Sequence, residues 1–187
     1  MNAAENWICA SSLWRYFTTH RLLPWVLSGT SLGDHLLEIG AGYGAATAYL
    51  NTQVPRVTSL EYNHNSVRKW KSLSSGTAAA VCGDASNLPF AGQTFTSALA
   101  ILVLHHLKST ELQDQMFAEA FRVLRPGGIF VAFEIMESWF HRIGHIRSTF
   151  TPIAPHSVSP RLTAAGFSGI SVDARRGTFR LAGIRPA

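Results

Sequence analysis

Cysteine is scarce in this chain of 187 residues: the two present, Cys9 and Cys82, lie far apart and outside any metal-ligand spacing. That scarcity excludes a disulfide framework and a cysteine zinc site, and leaves two reduced thiols that pack as small apolar groups. Charge is sparse as well. Charged residues make up 14% against 47% hydrophobic, which excludes the disordered class, where low hydrophobicity and high net charge prevent collapse. Long apolar runs are missing too. The longest, Ala98 to Leu104, is far short of the roughly 20 residues a membrane helix needs, and its length suits a buried strand. The opening stretch has an acid where a secretory signal carries Lys or Arg, and no uninterrupted apolar segment follows. The expectation is a soluble, cytoplasmic protein without a membrane span.

Repeats, low-complexity tracts and linkers are also lacking, so residues 1–187 read as one domain, an N-terminal helical cap over 1–30 and an α/β core over 31–187. Net charge is +5, yet the basic residues are scattered and form no stripe interleaved with aromatics, which argues weakly about a nucleic-acid partner.

From Asn6 to Val26 the apolar residues fall at helical spacings, and the segment is expected to end near Pro24. His35 to Ile39 is a short apolar strand running into Gly40, Ala41, Gly42, Tyr43 and Gly44, with a helix following through Ala45 to Leu50. Further strands are expected at Arg56 to Glu61, Ala78 to Cys82, Phe95 to Val103 and Ile129 to Glu134, and helices at Asn63 to Ser74, from about Leu112 to Leu124 and around Leu162 to Ala165. Alternation of strand and helix implies parallel pairing through right-handed crossovers, while Gly169 to Asp173 and Thr178 to Ile184 read as a terminal hairpin.

In a doubly wound sheet, ligands sit at the carboxyl ends of the strands where the order reverses, which directs attention to the glycine loop. The run from Gly40 to Ala45 also fits a dinucleotide fingerprint, and Glu61, 21 residues beyond Gly40, suits an acid that binds ribose hydroxyls in either case. Three features separate the two readings. Glu38 places a carboxylate just before the first glycine; Asp84 stands just past the third strand, where it can accept from an exocyclic amine; and the segment from Phe121 to Gly128 closes a helix and turns into the fifth strand.

Taken in order, Leu36 to Gly44, Leu60 and Glu61, Gly83 to Ala85 with Leu88 to Phe90, Leu104 to Leu107, and Leu124 to Gly128 resemble the class I S-adenosylmethionine-dependent methyltransferases, small-molecule and lipid-type enzymes above all. The resemblance spans residues 34–134 and implies a Rossmann-like, doubly wound, seven-stranded sheet, mostly parallel with an antiparallel strand in the C-terminal hairpin, plus the N-terminal helical segment. It implies S-adenosyl-L-methionine as cofactor and S-adenosyl-L-homocysteine as product. Carried over by position, Glu38, Gly40, Ala41 and Gly42 would cradle the methionine portion, Glu61 would bind the ribose and Tyr62 would lie beside the adenine. Asp84 and Ala85 would hold the adenine edge, and Ile101 and Leu102 would line the methionine side.

Methyl transfer from a sulfonium is an in-line displacement with a neutral leaving group, so alignment supplies most of the catalysis and no covalent nucleophile is required. His105 and His106 are the candidate general bases for an acceptor that must lose a proton. Glu137, His141 and His145 recur at four-residue steps that would share a helical face, although a substrate-facing or solvated helix is preferred there to a metal site. Trp14, Trp139, Phe140 and His141 are the candidate acceptor contacts. The expected acceptor is a small, apolar or aromatic molecule. An RNA or DNA methyltransferase is the alternative, disfavoured because Leu102 to His106 stands where base-modifying enzymes carry an Asn/Asp-Pro-Pro-aromatic tetrapeptide. A non-catalytic nucleotide-binding Rossmann protein is the third.

Overall fold

The computed structural model describes residues 2–73, 79–146 and 148–187. Seven strands form one sheet in the order β3-β2-β1-β4-β5-β7-β6. They are β1 (His35–Ile39), β2 (Arg56–Glu61), β3 (Ala79–Cys82), β4 (Phe95–Ile101), β5 (Leu124–Ile135), β6 (Ser168–Arg175) and β7 (Thr178–Ile184). The pairs β1 with β2, β2 with β3, β1 with β4 and β4 with β5 are parallel, and β7 runs antiparallel to both β5 and β6. The expected topology, including the terminal hairpin, is therefore present. Chain order reverses between β1 and β4, so the loops after these two strands face each other across the switch point.

Strand residues alternate between two cores, one on each face. On β1, Leu37 and Ile39 join one cluster and Leu36 the other; on β4, Ala98 and Ala100 part from Leu99 in the same way. The first face is covered by α6 (Thr110–Val123), through Met116, Phe117, Ala120 and Val123, and by α8 (Pro155–Ala164), through Val158 and Leu162. The second is covered by α3 (Leu23–Val26) and α4 (Thr47–Gln53), through Leu23, Val26 and Leu50. All these side chains are buried, and truncating one such leucine to alanine costs about 2–5 kcal/mol. Burial on both faces is why β4 reads as an unbroken apolar run from Ala98 onward.

Some boundaries meet the sequence expectation and others depart from it. Helices α1 (Ala3–Ala10) and α2 (Ser12–Phe17) lead into a π-helical turn, Thr18–Leu22, and then into α3, so the N-terminal helical path ends at Val26, near Pro24 as expected. Pro24 sits in the first turn of α3, where a missing N–H is harmless. Residues 42–46 form turns over the glycine loop, and α4 starts only at Thr47. Strand β5 begins at Leu124, ahead of the expected Ile129, because Gly127 donates to the Arg185 carbonyl and Arg185 donates to that of Gly128. Helix α5 (His64–Leu73) is capped as expected, with Asn63 Oδ1 accepting from the amide of Asn65 at 2.8 Å; the expected extensions to Ser74 and Ala78 fall outside the described residues.

Candidate active site

The glycine loop is fastened to the end of β2. Backbone N–H groups of Gly40 and Ala41 both donate to the Leu60 carbonyl, at 2.8 and 3.0 Å, and that of Gly42 donates to Glu61 Oε2 at 2.8 Å. Gly40 and Gly42 have φ of 76° and 56°, in the left-handed region that disfavours a Cβ. Their surroundings differ. A Cβ on Gly40 would stand 2.4 Å from Val103 Cγ2, whereas one on Gly42 would meet no atom within 4 Å. Gly40 is thus packed by protein, and Gly42 borders a free volume beside a carboxylate.

The three acids stand on neighbouring strands. Glu38, buried in β1 opposite Ser59, accepts at Oε2 from the hydroxyls of Thr47 and Ser59, each at 2.6 Å. Burial raises its carboxyl above the usual carboxylate range; the two hydroxyls oppose that shift and neighbouring Glu61 adds to it. Glu61, at the tip of β2, spans the loop with both oxygens, since Oε1 accepts from the Asn63 amide at 2.9 Å. Asp84 is exposed just past β3, and its Oδ1 accepts from the amide and hydroxyl of Ser86 at 2.8 and 2.7 Å. Beside it Ala85 is buried, while Tyr62 is among the most exposed aromatics.

At the end of β4, Ile101 and Leu102 are half-buried against the second core. Leu102 holds φ of 58°, with its amide donating to the Phe133 carbonyl at 2.9 Å. A left-handed γ-branched residue costs about 1–2 kcal/mol and persists only where the surroundings impose it. Here Val103 lies against Gly40 and the next turn is clamped by Glu134, which is fully buried. Glu134 Oε1 accepts from the Leu104 amide at 2.7 Å, and Oε2 accepts from His105 Nδ1 at 2.6 Å. His105 is buried in this arrangement, 2% exposed, so its ring is held in structure. His106 packs against it with ring centroids 4.1 Å apart, its Nδ1 facing the Thr149 carbonyl at 3.4 Å. Desolvation, with the neighbouring His105 second, pushes His106 down to about 3, which leaves it a neutral and weak base.

The segment after β5 carries α7 (Trp139–Gly144). Glu137 precedes that helix and pairs with Arg142, His141 Nδ1 donates to the Met136 carbonyl at 2.7 Å, and His145 lies past the last helical residue. The expected helical face shared by Glu137, His141 and His145 is therefore not formed: the helix is too short to hold all three. Instead, His145 turns toward His105 and His106. Helix α1 is tied to the same segment, because Asn2 Nδ2 donates to the carbonyls of Gly144 and Ile146, and the Ser148 hydroxyl donates to Glu5 at 2.5 Å. Trp14 is half-buried beside Phe17, Trp139 is exposed, and the Phe140 side chain lies outside the described residues. A cavity of about 510 Å³, lined by Pro24, Leu32, Tyr49 and Gln53, lies at the opposite, amino edge of the sheet and includes none of the candidate site residues.

Sequence reasoning passed over Glu134, Val103 and Glu5. Glu134 alone left a trace, as a lone acid ending an apolar strand. Comparison with known proteins completes the picture. A family model described as a methyltransferase domain matches residues 37–132. A 24-methylenesterol C-methyltransferase of Oryza sativa is 33% identical over 116 residues, covering 59% of this chain and 31% of that protein. A ubiquinone/menaquinone biosynthesis C-methyltransferase of Desulfotalea psychrophila is 29% identical over 119 residues, covering 62% of this chain and 44% of that protein. The chain thus spans less than half the length of these curated relatives. Among solved structures, phosphoethanolamine N-methyltransferase 2 of Haemonchus contortus, in complex with S-adenosyl-L-methionine, shares the fold with a TM-score of 0.77 at 14% identity, covering 98% of this chain and 56% of that one.

Proposed function

The chain belongs to the methyltransferase-domain family, and on that premise we propose that it transfers a methyl group from S-adenosylmethionine to a small, apolar or aromatic acceptor. The observation that carries this reading is the free volume at Gly42, bounded by a loop that Glu61 holds shut at the switch point of the sheet. The residues present fit the cofactor: a cradle that a Cβ would fill, a carboxylate at the tip of β2 for two ribose hydroxyls, and Asp84 at the next tip for an exocyclic amine. When bound, S-adenosylmethionine supplies an electrophilic methyl carbon on a sulfonium whose departure as a neutral thioether needs no protonation.

What the chain adds is placement. Glu61 both seals the glycine loop and faces the ribose position, so loop closure and nucleoside binding share one side chain. Glu38 sets a carboxyl beneath the loop, where a cationic ligand group would favour its ionised form. Ile101 and Leu102 give the methionine side an apolar wall. Acceptor alignment falls to the segments that α1 and α7 bring to this edge, which expose Trp7, Trp139 and Ile143. Such an apolar rim suits an apolar acceptor. His105 and His106 stand at the acceptor end, where His105 acts through its bond to Glu134.

Isothermal titration with S-adenosylmethionine and, separately, a reduced nicotinamide dinucleotide tests the cofactor. Binding of the dinucleotide alone overturns the proposal. Screening a metabolite library for S-adenosylhomocysteine release then identifies the acceptor class.

A further inference from the structure

We propose that His105, His106 and His145 form a site for one divalent transition-metal ion of zinc-like preference at the acceptor end of the carboxyl edge. One ring nitrogen from each of the three lies within 4.8 Å of the other two. The rings come from two separate parts of the chain: the turn after β4 supplies two and the end of α7 supplies the third. Their centroids are 4.1, 5.1 and 5.5 Å apart.

Hydrogen bonding selects the same nitrogen on every ring. His105 Nδ1 meets Glu134 Oε2 at 2.6 Å, His145 Nδ1 meets the His141 carbonyl at 2.7 Å, and His106 Nδ1 faces the Thr149 carbonyl at 3.4 Å. A carboxylate or a carbonyl oxygen only accepts, so each Nδ1 carries the proton and each Nε2 carries the lone pair. That is the arrangement metal-ligating histidines require, with the far nitrogen anchored on a carboxylate or carbonyl that fixes tautomer and ring orientation. Negative charge is close by as well, since Glu5 Oε1 lies 3.7 Å from His145 Nε2. Metal–nitrogen bonds of about 2.0–2.1 Å in a tetrahedral site set the ligands roughly 3.3 Å apart. One nitrogen of each ring already lies within 4.8 Å of the others, and binding an ion would draw them closer.

Three histidines leave a fourth position open, as in catalytic and not structural zinc sites. At the acceptor end, that position takes water or an oxygen or nitrogen of the acceptor. This last assignment rests on the methyl-transfer reading; the metal site itself does not.

The test uses the full chain stripped of metal and titrated with Co²⁺, then with Zn²⁺. The expected result is one equivalent of Co²⁺ with the visible d–d absorption of a tetrahedral centre, displaced by Zn²⁺. His145→Ala and, separately, His106→Ala are expected to weaken Co²⁺ binding at least about 100-fold while circular dichroism stays that of the parent. Absence of a visible band up to millimolar Co²⁺ overturns the site. So does a band that survives unchanged in both folded variants, because the ion then sits elsewhere. S-adenosylmethionine calorimetry on the same preparations keeps the two readings apart: cofactor binding without metal binding refutes only the site, and metal binding without cofactor binding refutes only the methyl-transfer reading.

Discussion

Replacing Gly42 by alanine, and Gly40 by alanine in a second variant, separates ligand space from protein packing in one loop. Both positions are left-handed, at 56° and 76°, and an alanine there costs about 1–2 kcal/mol in the folded state, partly offset by about 0.4–1 kcal/mol from a stiffer unfolded chain. At Gly42 nothing else is added, because a Cβ meets no atom within 4 Å. Net destabilisation is about 1 kcal/mol, a drop in melting temperature of roughly 2–4 °C for a chain of this size. At Gly40 the Cβ arrives 2.4 Å from Val103 Cγ2, and overpacking adds about 1–3 kcal/mol. The melting temperature of Gly40→Ala therefore falls further, by about 5–15 °C, and adding Val103→Ala recovers the steric share. Cofactor affinity is expected to run against the stability order. The Gly42 methyl projects into the volume assigned to S-adenosylmethionine, so the milder substitution loses at least about 10-fold in affinity, or roughly 1.4 kcal/mol. Thermal melts and calorimetric titration measure both quantities. A Gly42→Ala protein that binds S-adenosylmethionine within about twofold of the parent refutes the cradle.

The other expectations concern the acids. Glu61→Gln keeps one acceptor but turns an amide NH2 toward either Gly42 or Asn63, so calorimetry is expected to show about 10- to 100-fold weaker cofactor binding with a stability loss of about 1–2 kcal/mol. Glu134→Ala strands the Leu104 amide and His105 Nδ1 in a fully buried place; a loss of about 3–5 kcal/mol is expected by urea unfolding, and a midpoint equal to the parent's contradicts the clamp. Glu38 has a carboxyl raised on folding, so the folded chain binds more protons than the unfolded one. Its contribution is accordingly present below the ordinary value of 4.5 and is lost as pH rises from there through the raised value. Urea midpoints of the ligand-free protein across that window are expected to fall less with rising pH in Glu38→Gln than in the parent.

What the sequence revealed, and what it hid, divides by the range of the interaction. Strands β1 and β4 are legible because burial on both faces demands apolar residues at most positions, and β2 because Val57, Thr58 and Leu60 suit a strand. The glycines and the acids at successive strand tips are legible because their spacing is local. Pro24 marked the end of the N-terminal helical path to within two residues, because the first turn of α3 tolerates it and that helix stops at Val26. Helix α4 starts late because the residues after Gly42 are spent on turning over the loop. Glu134, Val103 and His145 act through partners distant in sequence, 29 residues between Glu134 and His105 for instance, and no local period encodes such pairs. The histidine spacing around α7 suggested one helical face, and the end of that helix at Gly144 removes it.

Those long-range contacts bind the two loops at the switch point into a single unit. Gly40 rests on Val103; Val103 follows Leu102, whose left-handed backbone is pinned to Phe133; and Leu104 and His105 hang from Glu134, the residue after Phe133 on β5. A side chain at Gly40 pushes Val103, and the neighbouring Leu102 and Leu104 are both bonded to β5, so the strain passes to the turn that carries the histidines. On the proposed reading, the glycine loop and the histidine turn are expected to shift together. A substitution such as Gly40→Ala, which touches no acceptor, is therefore expected to alter acceptor KM as well as cofactor affinity. Steady-state kinetics with the identified acceptor decides this: an unchanged acceptor KM in a folded Gly40→Ala protein shows that the two loops move separately and that the Val103 contact is packing alone.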